Sequence, residues 1–487
     1  MKINRISLKK ITFSLGIMGL LLNPFIVFSQ NQQLPEIGTA ATSTLSQDQE
    51  NEMGDFYIRL LRANTPLIYD PTLTAYINQL GNKLASHADS NNANFTFHLV
   101  KNDDINAFAF FGGHIVLHSA LFRETNDENE LASVVAHEIV HVTQRHLARA
   151  MEDEKRKAPL TWAGVLGGVL IGMSNPNAGM ATVTGSMASS QQSRLTFTQS
   201  NEREADNIGV NILQKAGFDA RGMNNFMQKM ADNARFTSKP PEILLTHPLP
   251  DSRLADARSR LYQLPEQDRP SSEDYYFAKA KVLAIYAGNN PQNKTAFDTL
   301  AQGSVASQNA HSYGSALKLM DKNQFAKAYD ILNPMYQASP TNLWFVDAMT
   351  DIDIGLGESQ RAVTRIESLL KTPSLRSNHI LQINLANAYL SQKQYAKANQ
   401  LLFQIARQTP DDPNIWQLLA QSAAKIHNRS LELQARAENY ALRSDLSGAI
   451  TLLKQSLTYE QSKNDKARAQ ARINQLIALE SRFKKFR

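Results

Sequence analysis

Residues 131–150 read Leu-Ala-Ser-Val-Val-Ala-His-Glu-Ile-Val-His-Val-Thr-Gln-Arg-His-Leu-Ala-Arg-Ala, and apolar side chains recur in them at helical spacing. Asp127 and Glu130 precede this stretch in the pattern of a capped helix start. The pattern therefore predicts one long helix that runs from Leu131 to about Ala150.

Two histidines lie four residues apart within this helix, in the sequence His137-Glu138-Ile139-Val140-His141. At that spacing both imidazoles share one face, with Cβ atoms about 5–6 Å apart, which suits two ligands of one tetrahedral zinc ion. Glu138 is turned by about 100° from His137 and can act on water as a general base. The chain has no cysteine, so any metal must be bound by His, Asp or Glu.

A third ligand must come from elsewhere, because a catalytic zinc ion usually has three protein ligands. Gln144 and Leu147 stand where a metzincin has glycine and histidine, so the downstream positions do not supply it. An acidic helix further on is the candidate, because Glu202 and Asp206 lie four residues apart on one face. Either carboxylate can bind the metal while the other holds a ligand imidazole. Glu204 is expected to point away.

Short β-type runs precede the histidine pair and indicate an α+β core. They span residues 95–100, 107–111 and 114–117, with Gly112-Gly113 as the turn between the last two. Two helices are predicted before them, one capped by Ser46 and one starting near Pro71. The strand near Asn106, Ala107 and Phe108 is a candidate to pair with an extended peptide, since a sheet edge can align a peptide without reading its sequence.

Beyond about residue 275 the chain repeats itself. Residues 324–328 (Gln-Phe-Ala-Lys-Ala) and 394–398 (Gln-Tyr-Ala-Lys-Ala) are nearly identical, and a weaker copy, Ser-Gln-Arg-Ala, lies between them at 359–362. The spacing matches the tetratricopeptide repeat of about 34 residues, in which stacked helix pairs share one core. The sequence therefore predicts an α-helical solenoid, and the chain as a whole is expected to be mainly α.

The first 29 residues have the pattern of a secretory signal peptide, which predicts export to a bacterial periplasm. Four basic residues precede an apolar run from Ile11 to Phe28, and Ser29 offers a small residue for cleavage; the alternative is an uncleaved anchor. These four charges account for most of the net charge of +6, which therefore gives no support to nucleic-acid binding. An apolar stretch at 160–185 is too short to span a bilayer. It is either a packed helical hairpin or a mobile, membrane-touching cover over the site.

The paired motifs, His-Glu-x-x-His at 137–141 and Glu-x-x-x-Asp at 202–206, resemble those of the M48 family of zinc metallopeptidases. The resemblance covers essentially the whole chain. It implies a zincin-like α+β metallopeptidase domain with a small sheet at residues 30–265. A tetratricopeptide domain is expected to follow at 266–487, with the signal peptide at 1–29.

The same resemblance assigns roles to individual residues. It implies that His137, His141 and Glu202 bind one Zn²⁺ per chain. It also implies that Glu138 is the base and acid of peptide hydrolysis and that Asp206 holds a ligand histidine. These assignments follow from matching positions in the family motif.

His247 begins the sequence His-Pro-Leu-Pro-Asp-Ser-Arg, which resembles a His-Pro-x-x-x-x-Arg element of the same subgroup. Two interpretations stay open. The prolines make a rigid surface loop, or His247 occupies the fourth zinc position and silences the enzyme until the loop moves. We expect His114 and His118 to lie too far apart to share a metal, and His98 to be isolated.

Together, the resemblance, the signal peptide and the repeats imply a periplasmic zinc endopeptidase that degrades stalled outer-membrane β-barrel proteins and promotes their assembly. The implied partners are the β-barrel assembly machinery and, as a client, the lipopolysaccharide-transport barrel protein. Neither nucleic acid nor more than peripheral membrane association is expected. The alternative is chiefly a tetratricopeptide scaffold or chaperone whose proteolysis is usually switched off.

Overall fold

Helices dominate the computed structural model, which describes residues 45–89, 94–157, 198–236, 240–261, 269–460 and 462–486. The predicted signal peptide and the apolar stretch at 160–185 lie outside the described residues. Within the described ranges, none of the helices combines the length and the apolar character needed to cross a bilayer.

A helical region with a small sheet precedes residue 262. Its helices are α1 (Gln47–Asn64), α2 (Pro71–Ala85), α3 (Leu121–Glu124), α4 (Glu128–Thr143), α5 (His146–Lys157), α6 (Gln199–Lys215), α7 (Arg221–Phe236), α8 (Ile243–Thr246) and α9 (Asp251–Leu261). Its strands are β1 (Leu67–Ile68), β2 (Thr96–Val100), β3 (Ala107–Phe110) and β4 (His114–His118). The α+β character is as predicted. α1 starts with the expected capping box, in which Ser46 and Gln49 exchange hydrogen bonds.

The sheet has the strand order β1-β2-β4-β3, which leaves β3 at one edge. β2 and β4 pair in parallel, whereas β3 and β4 pair antiparallel with Phe110 opposite His114. The turn between β3 and β4 contains Gly112 and Gly113, both with φ near +80°. A Cβ atom on Gly113 would lie 2.2 Å from the Asn94 carbonyl oxygen, so only glycine fits there.

The predicted long helix is interrupted, which corrects the expectation of one helix to Ala150. α4 ends at Thr143, and α5 begins at His146. Between them Arg145 adopts a φ of +52°, in the left-handed region that interrupts a right-handed helix. Apolar periodicity alone did not reveal this break, because it continues across it.

The expectation that His98 is isolated is wrong. Its Nε2 lies 3.4 Å from Nδ1 of His114, and the Thr96 hydroxyl lies within hydrogen-bond distance of both rings. The reason is the parallel pairing of β2 with β4, which places Thr96 opposite His114 and puts His98 on the same face.

Helix pairs make up the rest of the described chain, as predicted. They are α10 (Glu273–Lys281), α11 (Pro291–Thr299), α12 (Val305–Asp321), α13 (Phe325–Ala338), α14 (Leu343–Gly355), α15 (Ser359–Leu369), α16 (His379–Ser391), α17 (Tyr395–Gln408), α18 (Pro413–Lys425), α19 (Arg429–Leu442), α20 (Leu446–Ser456) and α21 (Lys463–Phe483). The repeated alanines Ala328, Ala362 and Ala398 are fully buried, because paired helices approach closely there.

The repeat helices contact the first region at several places, two of which lie near α2 and near α1. Near α2, Lys281 of α10 donates to Asp70 and to Asp347 of α14 over 2.6 and 2.8 Å. At the other end, the Phe483 ring of α21 packs edge-on against Phe56 of α1, with centroids 5.2 Å apart. The first and last helices therefore share one apolar core.

Candidate metal centre

Four buried side chains from three parts of the chain converge on one point. α4 contributes His137 and His141, α6 contributes Glu202, and His247 follows α8 directly. Each offers one ligand atom, and these four atoms lie within 4.8 Å of one another. The Nε2 atoms of His137 and His141 are 3.0 Å apart, and Nδ1 of His247 lies 3.0 Å from Oε1 of Glu202.

The donor set fits a metal ion. Imidazole nitrogens that face one another at hydrogen-bond distance cannot all carry protons, so the arrangement favours a shared cation. Three imidazole nitrogens and one carboxylate oxygen are ligands that zinc accepts in tetrahedral sites. A bound metal would therefore be held by His137, His141, Glu202 and His247 or by a subset of them.

Asp206 orients one of the two helix histidines. Its Oδ1 lies 3.0 Å from Nδ1 of His137, on the side of the ring opposite the cluster. Asp206 is in turn held by Arg253, whose Nε and Nη2 atoms donate to it over 2.6 and 2.8 Å. Burial raises the pKa of Asp206, but the hydrogen bonds from Arg253 and His137 outweigh burial and leave that pKa lowered. Asp206 is thus an ionised acceptor for His137.

Arg253 is a site residue that the sequence reasoning did not assign. Its guanidinium also reaches Oε2 of Glu202 at 2.5 Å and donates to the Pro248 carbonyl. Through these contacts, Arg253 holds the loop after His247 against the Glu202 and Asp206 carboxylates of α6. The sequence shows Arg253 as the last residue of the His-Pro-x-x-x-x-Arg element. It does not show that this side chain turns towards Glu202 and Asp206.

Glu138 lies beside this cluster and is 1% exposed. Its Oε1 is 3.5 Å from Nε2 of His247. Burial raises the pKa of Glu138, while the neighbouring His247 and His137 side chains and the backbone of Ala109 in β3 oppose that rise. A buried carboxylate with a raised pKa has the property required of a general base that later acts as an acid.

An apolar pocket opens next to His137 and Glu138. Its walls include Met223, Phe226 and Met230 of α7 and Leu249 after His247. This pocket is large enough and apolar enough to hold an apolar side chain. The polar cluster lies at one end of it.

The predicted substrate strand lies at the sheet edge near Glu138. Ala107 and Phe108 are buried in β3, and Asn106 just before it is fully buried. Neither polar atom of the Asn106 side chain has a hydrogen-bond partner in the described part of the chain. Just ahead of the edge, the Ile243 amide donates to the Ile105 carbonyl over 3.0 Å. The segment that leads to His247 therefore contacts the backbone where the edge strand begins.

Glu204 lies outside the four-residue cluster, in line with its position on the helix. It contacts His146 and Arg149, and His146 in turn contacts His141. His146 is a second residue that the sequence reasoning did not assign, because the break at Arg145 brings it back towards His141.

Comparison with known proteins gives matches in both regions. A model described as peptidase family M48 matches residues 71–261, and a model of the tetratricopeptide repeat matches residues 376–422. The β-barrel assembly-enhancing protease of Yersinia pestis is 52% identical over 455 residues, which are 93% of each chain. Its counterpart in Escherichia coli strain K12 is 51% identical over 455 residues, again 93% of each chain. A putative β-barrel assembly-enhancing protease of Vibrio cholerae is 42% identical over 465 residues, 94% of this chain and 95% of that one.

Proposed function

The chain belongs to peptidase family M48 and is a metallopeptidase, and on that premise we propose that it is an exported zinc endopeptidase acting on outer-membrane β-barrel proteins. One observation carries the proposal for its chemistry. The ligand atoms of His137, His141, Glu202 and His247 lie within 4.8 Å of one another, and Glu138 lies beside them.

The proposed roles at the metal follow from this geometry. His137, His141 and Glu202 hold one zinc ion, which when bound supplies Lewis acidity that polarises the scissile carbonyl. Asp206 accepts the Nδ1 proton of His137 and fixes the ring so that Nε2 faces the cluster. Arg253 neutralises the outer sides of Glu202 and Asp206.

Glu138 moves the proton in this proposal. Its carboxylate takes a proton from the attacking water and returns it to the amine of the leaving peptide. Burial supports both steps, because a raised pKa makes the carboxylate a better proton acceptor and still lets it donate afterwards.

The substrate is proposed to bind as an extended strand along β3. The edge position of β3 supports this, and so does the proximity of its Ala109 backbone to Glu138. The buried amide of Asn106, which has no hydrogen-bond partner among the described residues, is a group that a peptide backbone would satisfy. Ala107 and Phe108 then set the position of the edge rather than contact the peptide through their buried side chains.

We also propose that His247 inhibits the resting enzyme. It lies 3.0 Å from Glu202 and 3.4 Å from His137, which is where a fourth ligand would stand. A zinc site with four protein ligands is closed, whereas a catalytic site keeps one position open. His247→Ala should therefore raise the rate of casein cleavage, and an unchanged or lower rate would contradict self-inhibition.

The names of the relatives support the proposed substrates and location. They are bacterial proteases described as enhancing β-barrel assembly. For this chain we propose that it is exported to the periplasm by a signal peptide at 1–29, with a peptidase domain at 30–265 and a repeat domain at 266–487. The repeats would recruit stalled outer-membrane β-barrel precursors, the β-barrel assembly machinery and the lipopolysaccharide-transport barrel protein, either for degradation or for assembly.

A second candidate function is that of a scaffold or chaperone with proteolysis usually off. The contact of His247 with the ligand cluster favours it, because a closed site does not cleave. Glu138→Gln separates the two functions in the full-length chain: zinc should stay bound while cleavage is lost. If Glu138→Gln retains all cellular function, proteolysis is excluded as the main function of the chain.

The direct test of the proposed chemistry is metal analysis combined with proteolysis. The purified chain should contain one zinc ion, cleave casein, and lose cleavage when a chelator removes the metal. A metal-free chain with undiminished cleavage would refute the proposal.

A further inference from the structure

The helix break at Arg145 brings His146 back towards the ligand cluster. In an uninterrupted helix, His146 would be rotated by about 140° from His141 and would lie more than a turn away. A non-glycine residue in the left-handed region is strained and persists only where its surroundings hold it. Arg145 is held by Glu50 of α1, which accepts from its Nε over 2.8 Å, and by the Leu45 carbonyl over 2.6 Å.

The result is a chain of contacts that ends at His141. Nδ1 of His146 lies 2.9 Å from Nδ1 of His141, and Nε2 of His146 lies 3.1 Å from Oε2 of Glu204. Arg149 of α5 donates to the same Glu204 oxygen over 2.8 Å. His146 is fully buried, so water does not compete for its ring nitrogens.

The direction of the hydrogen bonds follows from the geometry at His141. Its Nε2 faces the cluster, 3.0 Å from Nε2 of His137, so as a metal ligand His141 carries its proton on Nδ1. That proton requires an acceptor, which makes Nδ1 of His146 unprotonated. The one proton of a neutral His146 is then on Nε2, where the Glu204 carboxylate accepts it.

We propose that His146 and Glu204 are positioning residues that fix the tautomer and the ring orientation of His141 for metal binding. The inference rests on the proposed role of His141 as a ligand. It gives each helix histidine its own support: Asp206 holds His137 directly, and Glu204 holds His141 through a second imidazole. Outer partners of this kind typically change metal affinity without contacting the metal.

The test is zinc affinity, measured by competition with a chromophoric chelator on the full-length protein. His146→Leu should weaken zinc binding by about 10- to 100-fold. His146→Asn should recover most of that loss, because its side-chain oxygen can accept the Nδ1 proton of His141. Glu204→Gln should give a smaller loss and serves as the second variant if His146→Leu does not fold.

His118→Asn is the matched control, because His118 is equally buried and its Nδ1 contacts a backbone carbonyl, that of Asp104, where Nδ1 of His146 contacts a ligand histidine. It should leave zinc affinity unchanged even if it lowers the melting temperature. A purely structural role of His146 would instead lower the melting temperature and leave zinc affinity intact, and the asparagine variant would not rescue it.

Nitrogen-15 histidine spectra of the zinc-loaded protein give an independent readout. The proposal requires an Nδ1-protonated His141 and an Nε2-protonated His146, and the opposite tautomer at His146 would overturn it. Tight zinc binding by the wild type and equally tight binding by His146→Leu would overturn this inference alone. A wild-type chain that binds no zinc would overturn the proposed function as well.

Discussion

The metal centre and the cluster around Lys281 both bury carboxylates, but the cation that offsets these negative charges comes from a different source in each. At the contact between α2 and the repeats, the ammonium group of Lys281 stands between Asp70 and Asp347, and Asn384 and Thr72 complete the hydrogen bonding. Burial lowers the pKa of Lys281, but the two aspartates outweigh burial and hold it well above its ordinary value. The chain therefore supplies this cluster's cation.

At the metal centre, by contrast, the ligand atoms face one another. The ring nitrogens of His137 and His141 are 3.0 Å apart, and Arg253 reaches the carboxylates of α6 from the outside. The cation that fits between the ligands has to come from solution. The comparison teaches that a buried carboxylate cluster which folding supplies with a side-chain cation at its centre is structural, whereas one whose ligand atoms lack such a cation between them is a binding site.

The largest expected effect comes from removing the cation of the structural cluster. Lys281→Met leaves Asp70 and Asp347 buried without their positive partner, which should lower the free energy of unfolding by about 3–5 kcal/mol. Urea unfolding of the chelated protein measures this loss. Converting both aspartates to asparagine in the Lys281→Met background should restore most of the stability, because the buried charges are then gone.

Lys327→Met is the control for this prediction, since Lys327 is an exposed lysine of α13 in the same repeat array. Its stability should stay within about 0.5 kcal/mol of the wild type. Equal losses in the two lysine variants would show that the Lys281 cluster has no special role at the contact between α2 and the repeats.

Metal removal should have the next largest effect. Free zinc at about 100 times its dissociation constant stabilises the folded chain by about 2.7 kcal/mol, and a chelator should remove that stabilisation. Lys281→Met should lose the same amount on chelation, because independent sites contribute additively. Glu202→Gln should show a much smaller zinc response. A zinc response that disappears in Lys281→Met would mean that the two clusters are coupled.

The sequence predicted the elements of both regions better than their contacts. Spacing alone placed His137 with His141 and Glu202 with Asp206, because a helix brings residues four apart onto one face. The repeat pattern likewise predicted the helix pairs. These are local regularities, and the structure has the helices that they require.

What the sequence did not reveal depends on backbone breaks and on pairing between distant segments. The left-handed conformation of Arg145 leaves no periodic signal, so the return of His146 to His141 was missed. The contact of His98 with His114 follows from the parallel pairing of two strands. The reach of Arg253 to Asp206 depends on how the loop after His247 folds back. None of these can be read from local spacing.

The metal centre should also make the stability of the chelated protein depend on pH. Burial lowers the pKa of His137, but the hydrogen bonds that its ring donates to Asp206 and Glu202 outweigh burial and raise it from 6.5 to about 10. A raised pKa contributes stability that is fully present below pH 6.5 and is lost as the pH rises towards 10. The chelated wild type should lose up to about 1.4 kcal/mol per pH unit in this window relative to His137→Gln, as measured by unfolding titrations. Zinc-loaded protein should lack this slope, because the metal takes the place of the proton.

The smallest predicted effect concerns Lys279, which lies two residues before Lys281 on α10 and is equally buried. It donates to the Thr125 carbonyl, and the carboxylates of Glu130, Glu124 and Asp127 offset its burial only in part. Burial, aided by the charge of Lys229, lowers its pKa from 10.5 to about 8. A lowered lysine pKa is a cost to stability that is complete below pH 8 and disappears as the pH rises towards 10.5. Lys279→Met should therefore stabilise the chain at pH 7 by on the order of 1 kcal/mol, since the Tyr275 hydroxyl still donates to Thr125.

This gain in Lys279→Met should vanish near pH 10.5, whereas the loss in Lys281→Met should persist across that range. If Lys279→Met were as destabilising as Lys281→Met, burial alone would explain both lysines, and the carboxylates of Asp70 and Asp347 would not be what distinguishes them.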